Sequence, residues 1–197
     1  LSVIVLKHLK PPIWANNMHT LSQWQSSGQF LNINGQQIFT KTAGSANNPA
    51  LLLIHGFPSA SWDWEGMWDK LTQHYFLVTL DMLGFGLSDK PINATYKITE
   101  QADLYTQFLK RLNITDVHIL AHDYGDTVAQ ELLARQVATK SEIRIHSVCF
   151  LNGGLFPYVH KPLFIQKLLL SKLGWIVPKL MSKQKFAKNL TTIFGKN

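Results

Sequence analysis

Apolar residues recur in two alternating rhythms between residues 29 and 151. Phe30-Leu31-Asn32-Ile33 and Gln36-Gln37-Ile38-Phe39-Thr40 flank Asn34-Gly35. Asn-Gly between such runs predicts a tight hairpin, because both turn positions favour positive φ. After a loop over 44–49, Ala50 to Ile54 is a continuous apolar run, and so is Phe76 to Leu80. Unbroken runs of this length predict parallel strands buried on both faces. Trp62 to Leu71 is predicted helical. Ile98 to Leu112 carries Ile98, Ala102, Tyr105, Phe108, Leu109 and Leu112 on one side, the spacing of an amphipathic helix. A strand over 117–121, a helix from about Tyr124 to Val137 and a strand from Ile145 to Leu151 complete the pattern. Strands alternating with helices predict an α/β fold with a mostly parallel sheet flanked by helices.

After Asn152-Gly153-Gly154 the rhythm changes. Residues 163–180 are rich in Leu, Ile and Lys and are broken by Gly174 and Pro178 into short helices. Three structures fit this stretch: a helical lid, a basic amphipathic helix on a membrane or partner surface, and a solvated helical edge. Its position after a strand favours the lid. Charge sharpens the division. Residues 155–197 hold eight Lys and no acid, whereas the formal charge of the whole chain is +7. The preceding body is thus close to neutral, and the basic excess belongs to the tail. Residues 1–20 open on Leu1 rather than Met, with an apolar run from Leu1 to Leu6 that is far shorter than the ~20 residues a spanning helix needs. They are read as the remnant of a membrane anchor and its linker, or as a frayed terminus. The expected organisation is therefore 1–20 anchor remnant and linker, 21–154 the N-terminal part of the α/β core, and 155–197 the start of a lid.

The 197 residues suffice for one domain with a substantial core. One cysteine, Cys149, excludes a disulfide framework and is expected to be a buried strand residue. No His, Asp or Glu cluster has metal-ligand spacing, and no Gly-rich phosphate loop follows a strand, so neither metal nor cofactor is expected. The basic tail contains no nucleic-acid module, so no nucleic-acid partner is expected. Nothing in the pattern assigns an oligomeric state. Three Asn-x-Thr triplets, at Asn93, Asn113 and Asn189, are read as unused matches to the glycosylation pattern. Trp62, Trp64 and Trp68 either line a substrate mouth or pack at helical spacing, and packing is the commoner outcome. Asp81 with Gly84 and Gly86 is read as turn chemistry, and Asp126 as a first-turn residue that favours the helix dipole.

The chemistry concentrates around Asp123. The run Val117-His118-Ile119-Leu120-Ala121-His122-Asp123-Tyr124-Gly125 is an apolar strand, a sharp turn between small residues, and then a helix. That is the context of a nucleophile elbow, with Asp where Ser is usual and Ala121 in place of the first Gly. A carboxylate is a poor acyl-transfer nucleophile, but it displaces a leaving group from alkyl carbon and forms an ester on the enzyme. The loop His55-Gly56-Phe57-Pro58 follows a buried strand. There the Phe57 N–H is the expected oxyanion donor, and Tyr124 N–H, after the nucleophile, is the second. His55, Gly56, His122 and Gly125 support this geometry. The two histidines are expected to orient backbone rather than abstract protons.

These stretches, together with Asp81 to Pro91 and His122 to Leu133, resemble the α/β-hydrolase superfamily in its epoxide hydrolase and haloalkane dehalogenase branch. His-Gly-Phe-Pro is the epoxide-hydrolase style. Dehalogenases usually carry Trp after the nucleophile and often Asn after His-Gly, where this chain has Tyr124 and Phe57. Within the branch the similarity is to a membrane-anchored vertebrate homologue. That implies an endoplasmic-reticulum membrane protein held by an N-terminal anchor and acting on a small lipophilic substrate. The resemblance also implies a catalytic histidine near the C-terminus and an acid after the seventh strand, since Asn152 stands where some relatives carry it. None of the eight histidines occupies such a position. The chain is therefore expected to be truncated at both ends and not to turn over. Whether it is an enzyme stays open; the alternative is a non-catalytic, hydrolase-like binding scaffold in the same membrane.

Overall fold

The computed structural model describes residues 19–153 together with Ser182 and Gln184. The expectations for residues 1–18 and for the lid beyond residue 153 lie outside the described residues. Thr20 begins the body. Its hydroxyl accepts the Gln23 N–H while the Gln23 side chain accepts the Thr20 N–H, a capping box that starts helix α1 (Leu21–Ser26). The hairpin follows as β1 (Gln29–Ile33) and β2 (Gln36–Ala43), with Asn34 and Gly35 at φ 53° and 81°. Both turn residues thus take the left-handed conformation expected of Asn-Gly.

Strands β3 (Ala50–Ile54) and β4 (Phe76–Leu80) have the predicted limits. Between them the predicted helix divides. Ser61–Trp64 form a 3-10 turn, and α2 runs Glu65–Leu71. The remaining elements are α3 (Ile98–Arg111), β5 (Asp116–His122), α4 (Tyr124–Val137) and β6 (Arg144–Leu151). The strands form one six-stranded sheet in the order β1-β2-β4-β3-β5-β6. β1 to β2 and β2 to β4 are antiparallel, whereas β4, β3, β5 and β6 are mutually parallel.

Alternation along the strands divides the core between the two sheet faces. Leu52, Ile54, Val78, Leu80, Ile119 and Ala121 pack with Ala102, Tyr105, Phe108 and Val128 of α3 and α4. Leu51, Leu53, Leu77 and Phe39 pack on the other face with Trp24, Trp64 and Trp68. Two of the three tryptophans over 62–68 are therefore core, while Trp62 is exposed. β6 corrects one expectation: Cys149 is exposed, not buried. Among the described strands β6 pairs only with β5, and its register slips at Val117/His118. Ile145, Val148 and Phe150 still pack with the cluster that α3 and α4 cover, whereas Cys149 does not. Among the described residues no helix is long and apolar enough to cross a membrane.

Candidate active site

The loops at the carboxyl ends of the parallel strands build the site. At the end of β5 the chain turns at Asp123, with φ 53° and ψ −115°, directly into α4. A non-glycine residue there occupies a sparsely populated conformation that typically costs about 1–3 kcal/mol and persists only where its surroundings hold it. Two backbone hydrogen bonds hold this one. The Asp123 N–H donates to Leu151 O at 3.0 Å, and the Asp126 N–H donates to Asp123 O at 3.1 Å. The turn is tight because α4 starts against the end of β3. A Cβ on Gly125 would stand 2.6 Å from both Ile54 O and His55 O.

The Asp123 carboxylate is half-exposed and aims at the loop after β3. Its Oδ1 accepts the Phe57 N–H at 2.9 Å. Among the described residues its Oδ2 has no hydrogen-bond partner. Tyr124 is the first residue of α4, so its N–H is one of the amides at a helix start that lack an intrahelical acceptor. Of the two expected donors, the Phe57 N–H is bonded to the carboxylate, and the Tyr124 N–H stands at the start of α4, outside the helix ladder. Gly56 lies against the corner itself: a Cβ there would come within 2.8 Å of Asp123 Cβ and 2.9 Å of His122 Nδ1.

His55 fixes the donor loop. It is fully buried, and its Nε2 accepts the Met82 N–H at 3.0 Å. The proton of the neutral ring must then sit on Nδ1, which lies 2.9 Å from Gly56 O and donates to it. Burial holds its pKa below the usual histidine value, against the opposing pull of Asp81. Folding therefore favours the neutral ring, and the stability it contributes declines as the pH falls below about 6.5. His55→Ala leaves the buried Met82 N–H without an acceptor, at an expected cost of about 1–3 kcal/mol. Urea denaturation at pH 8 measures it, and an unchanged midpoint would show that the ring holds nothing.

Asp81 anchors the next loop. Its Oδ1 accepts the Ser61 N–H at 2.8 Å and its Oδ2 the Leu87 N–H at 2.7 Å. This exceeds turn chemistry, since the carboxylate ties the loop after β4 to the start of the 3-10 turn. Gly84 and Gly86 do adopt positive φ, as read from the sequence. The resulting loops border an open cavity of about 580 Å³ lined by Phe57, Phe85, Tyr96 and Tyr124, with Pro58, Gly84, Gly86 and Lys90. Phe57, at 63% exposed, stands edge-on to Phe85, and Phe85 lies 5.8 Å from Tyr124, ring centre to ring centre. The side of the cavity formed by Phe57, Phe85 and Tyr124 is thus an aromatic wall. Among the described residues no group of three or more His, Cys, Asp or Glu is placed to hold a metal ion.

Sequence reasoning underrated Asp126. It is 1% exposed, and among the described residues neither carboxyl oxygen makes a well-formed hydrogen bond. Burial is the main reason its pKa is raised to about 6; the Asp123 charge adds to this, while the Leu151 backbone and His122 oppose it. The only signal in the chain was an acid beside an elbow, which fits a solvated first-turn residue equally well.

A mostly parallel sheet with its strained corner at the end of β5, facing the Phe57 amide of the loop after β3, is the architecture of the α/β hydrolase fold. Residues 49–193 match the sequence model of the α/β hydrolase fold, and the chain belongs to that family. It is 41% identical over 196 residues to the mesoderm-specific transcript homolog protein of Bos taurus, covering 95% of this chain and 58% of that protein. It is 34% identical over 176 residues to the putative hydrolase LipZ of Mycobacterium tuberculosis, covering 89% of this chain and 60% of LipZ. The chain thus spans 58% of the length of the first of these relatives. Among solved structures it is similar to a membrane phospholipase A, a bacterial virulence factor, with a TM-score of 0.61 and 30% identity over 68% of this chain and 42% of that one. The epoxide hydrolase CorEH shares the fold, with a TM-score of 0.59 and 23% identity over 73% of this chain and 48% of that one.

Proposed function

We propose that the chain carries the nucleophile half of a hydrolase of the aspartyl-ester type that acts on a small lipophilic alkyl electrophile, an epoxide first of all. The observation that carries this reading is Asp123, held by the Phe57 N–H through one oxygen, with no partner for the other among the described residues, and next in the chain to Tyr124, which lines the aromatic cavity together with Phe57. Asp123 Oδ2 attacks an oxirane carbon. A carbon–oxygen bond forms on the enzyme, the ring carbon–oxygen bond breaks, and the departing alkoxide takes a proton from water. Hydrolysis then requires water to add to the ester carbon. The oxyanion so formed would fall to the Phe57 and Tyr124 amides, donors of a kind worth about 2.7–4 kcal/mol each when removed. Among the described residues no histidine hydrogen-bonds to Asp123, so the alkylation half is the step these residues support.

A membrane location belongs to the same proposal. It is supported by the resemblance to a membrane-anchored homologue and by the membrane phospholipase A neighbour. Fractionation of cells expressing the tagged protein, with endoplasmic-reticulum markers, tests it; a purely soluble pool would refute it.

The chemical test is incubation of the chain with a long-chain 1,2-epoxide, followed by intact-mass and peptide mass spectrometry. The expected result is one added epoxide mass in the peptide containing Asp123, and no labelling by a fluorophosphonate probe for activated serine. A well-folded chain that gains no mass would favour the binding scaffold instead.

A further inference from the structure

Asp126 takes no part in the ester chemistry, yet it sits between the two backbone segments that hold the nucleophile. On one side is the first turn of α4, where its own N–H donates to Asp123 O at 3.1 Å. On the other is the end of β6, whose Leu151 carbonyl accepts the Asp123 N–H at 3.0 Å. The turn just beyond runs so close that a Cβ on Gly153 would stand 1.8 Å from Asp126 Oδ2. The carboxyl is 1% exposed and pressed against backbone, and among the described residues neither oxygen makes a well-formed hydrogen bond, the Leu151 backbone giving only partial compensation. A charge in such a place is strongly disfavoured, and the surroundings must either neutralise it or open to water.

Among the described residues, the charged and titratable groups that face it are few. The β5–α4 corner supplies His122 and Asp123. The end of β6 supplies the Leu151 backbone and Gly153, which carry no side-chain charge. The raised pKa of Asp126, about 6, agrees with what the geometry demands.

We propose that Asp126 is a positioning residue for Asp123: in its neutral form it wedges against the turn after β6, and its ionisation shifts the corner that presents the nucleophile. The claim about reactivity rests on Asp123 being that nucleophile; the claim about positioning does not. When Asp126 loses its proton, the buried charge is relieved most readily by moving residues 151–153 away and admitting water. That motion acts directly on the Leu151 carbonyl that grips the Asp123 amide. Ionisation therefore loosens a conformation that only its surroundings maintain.

Two measurements on the full chain separate the claims. In the wild type, the carboxyl carbon of Asp126 is followed by NMR from pH 4 to 8, together with the amide signals of Asp123 and Leu151. The expected result is a common midpoint near 6. A carboxyl that titrates in the ordinary aspartate range, or amides that stay still while it titrates, would overturn the positioning role, and no variant is needed to see either. Ester formation with the long-chain epoxide is then timed over the same range. The wild-type rate is expected to fall several-fold as the pH rises through the midpoint, and the rate of Asp126→Asn to stay level over the same interval. A wild-type rate that rises through the midpoint, or one that Asp126→Asn reproduces in full, counts against the link to reactivity. Absence of any adduct, with the shared NMR midpoint intact, removes the nucleophile reading and leaves the corner coupled to Asp126.

Discussion

Asp123→Asn is expected to abolish ester formation while leaving the fold unchanged. The amide oxygen of Asn can still accept the Phe57 N–H, so the bond that orients the side chain survives. What disappears is the second anionic oxygen, the atom proposed to attack. Loss of a covalent nucleophile typically lowers a rate by at least about a thousand-fold, here to below detection in the mass assay. Thermal unfolding supplies the control, because the side chain is half-exposed and fills no core position. A variant that kept the wild-type adduct yield would place the reactive group elsewhere. Asp123→Ser asks a further question. If the corner alone defined acyl-transfer chemistry, Ser would become reactive towards a fluorophosphonate; without a base beside the hydroxyl it is expected to stay silent.

Gly125→Ala is expected to be among the most damaging single-methyl additions to the core. The new Cβ would meet two backbone carbonyls at 2.6 Å and Ile54 Cγ2 at 2.8 Å. Neither carbonyl can swing aside, since both belong to the end of β3 and the loop that continues from it. Relief requires α4 to move off the sheet, which strips contacts from Val128 and Ala129 in the core. Overpacking of this kind costs about 1–3 kcal/mol and more where backbone is the obstacle. Moving α4 also moves Asp123, and a displacement of about 1 Å at a reacting group costs on the order of a hundred-fold in rate. Gly66→Ala is the matching control. It lies in α2 with nothing within 4 Å of the added carbon. There Ala is expected to stabilise by roughly 0.5–1 kcal/mol, because it restricts the unfolded chain and favours helix. Urea unfolding of both variants reads the contrast; equal effects would mean that neither site is governed by packing.

Local order was legible to the extent that neighbours in the chain create it. β3 and β4 were readable because burial on both faces makes them continuous apolar runs, and the hairpin because Asn34-Gly35 admits the dihedrals it needs. Helix α3 was readable from spacing, since Ala102, Tyr105, Phe108 and Leu109 do share its buried face. What failed was local pattern against distant cover. Helix α1 has only six residues and depends on Trp24 packing beside Trp68, far along the chain. Lys41 gave no sign that it would lie buried with its Nζ 4.0 Å from the centre of the Trp24 ring. Cys149 looked like a core residue because nothing local says whether a strand is central or at an edge.

The order of residues along the chain was enough to dictate an alternating α/β body, a tight corner after the fifth strand and a carboxylate at its tip. Those features depend on dihedral preference and hydrophobic spacing, which act over a few residues. Folding added everything that needs two remote segments to meet. It brought the Phe57 amide to Asp123 across 66 residues of chain, set His55 in one tautomer against Met82, and closed the turn after β6 over Asp126. Such contacts are set by how the sheet stacks its loops. A buried carboxyl and a solvated one therefore read alike until the strands are side by side.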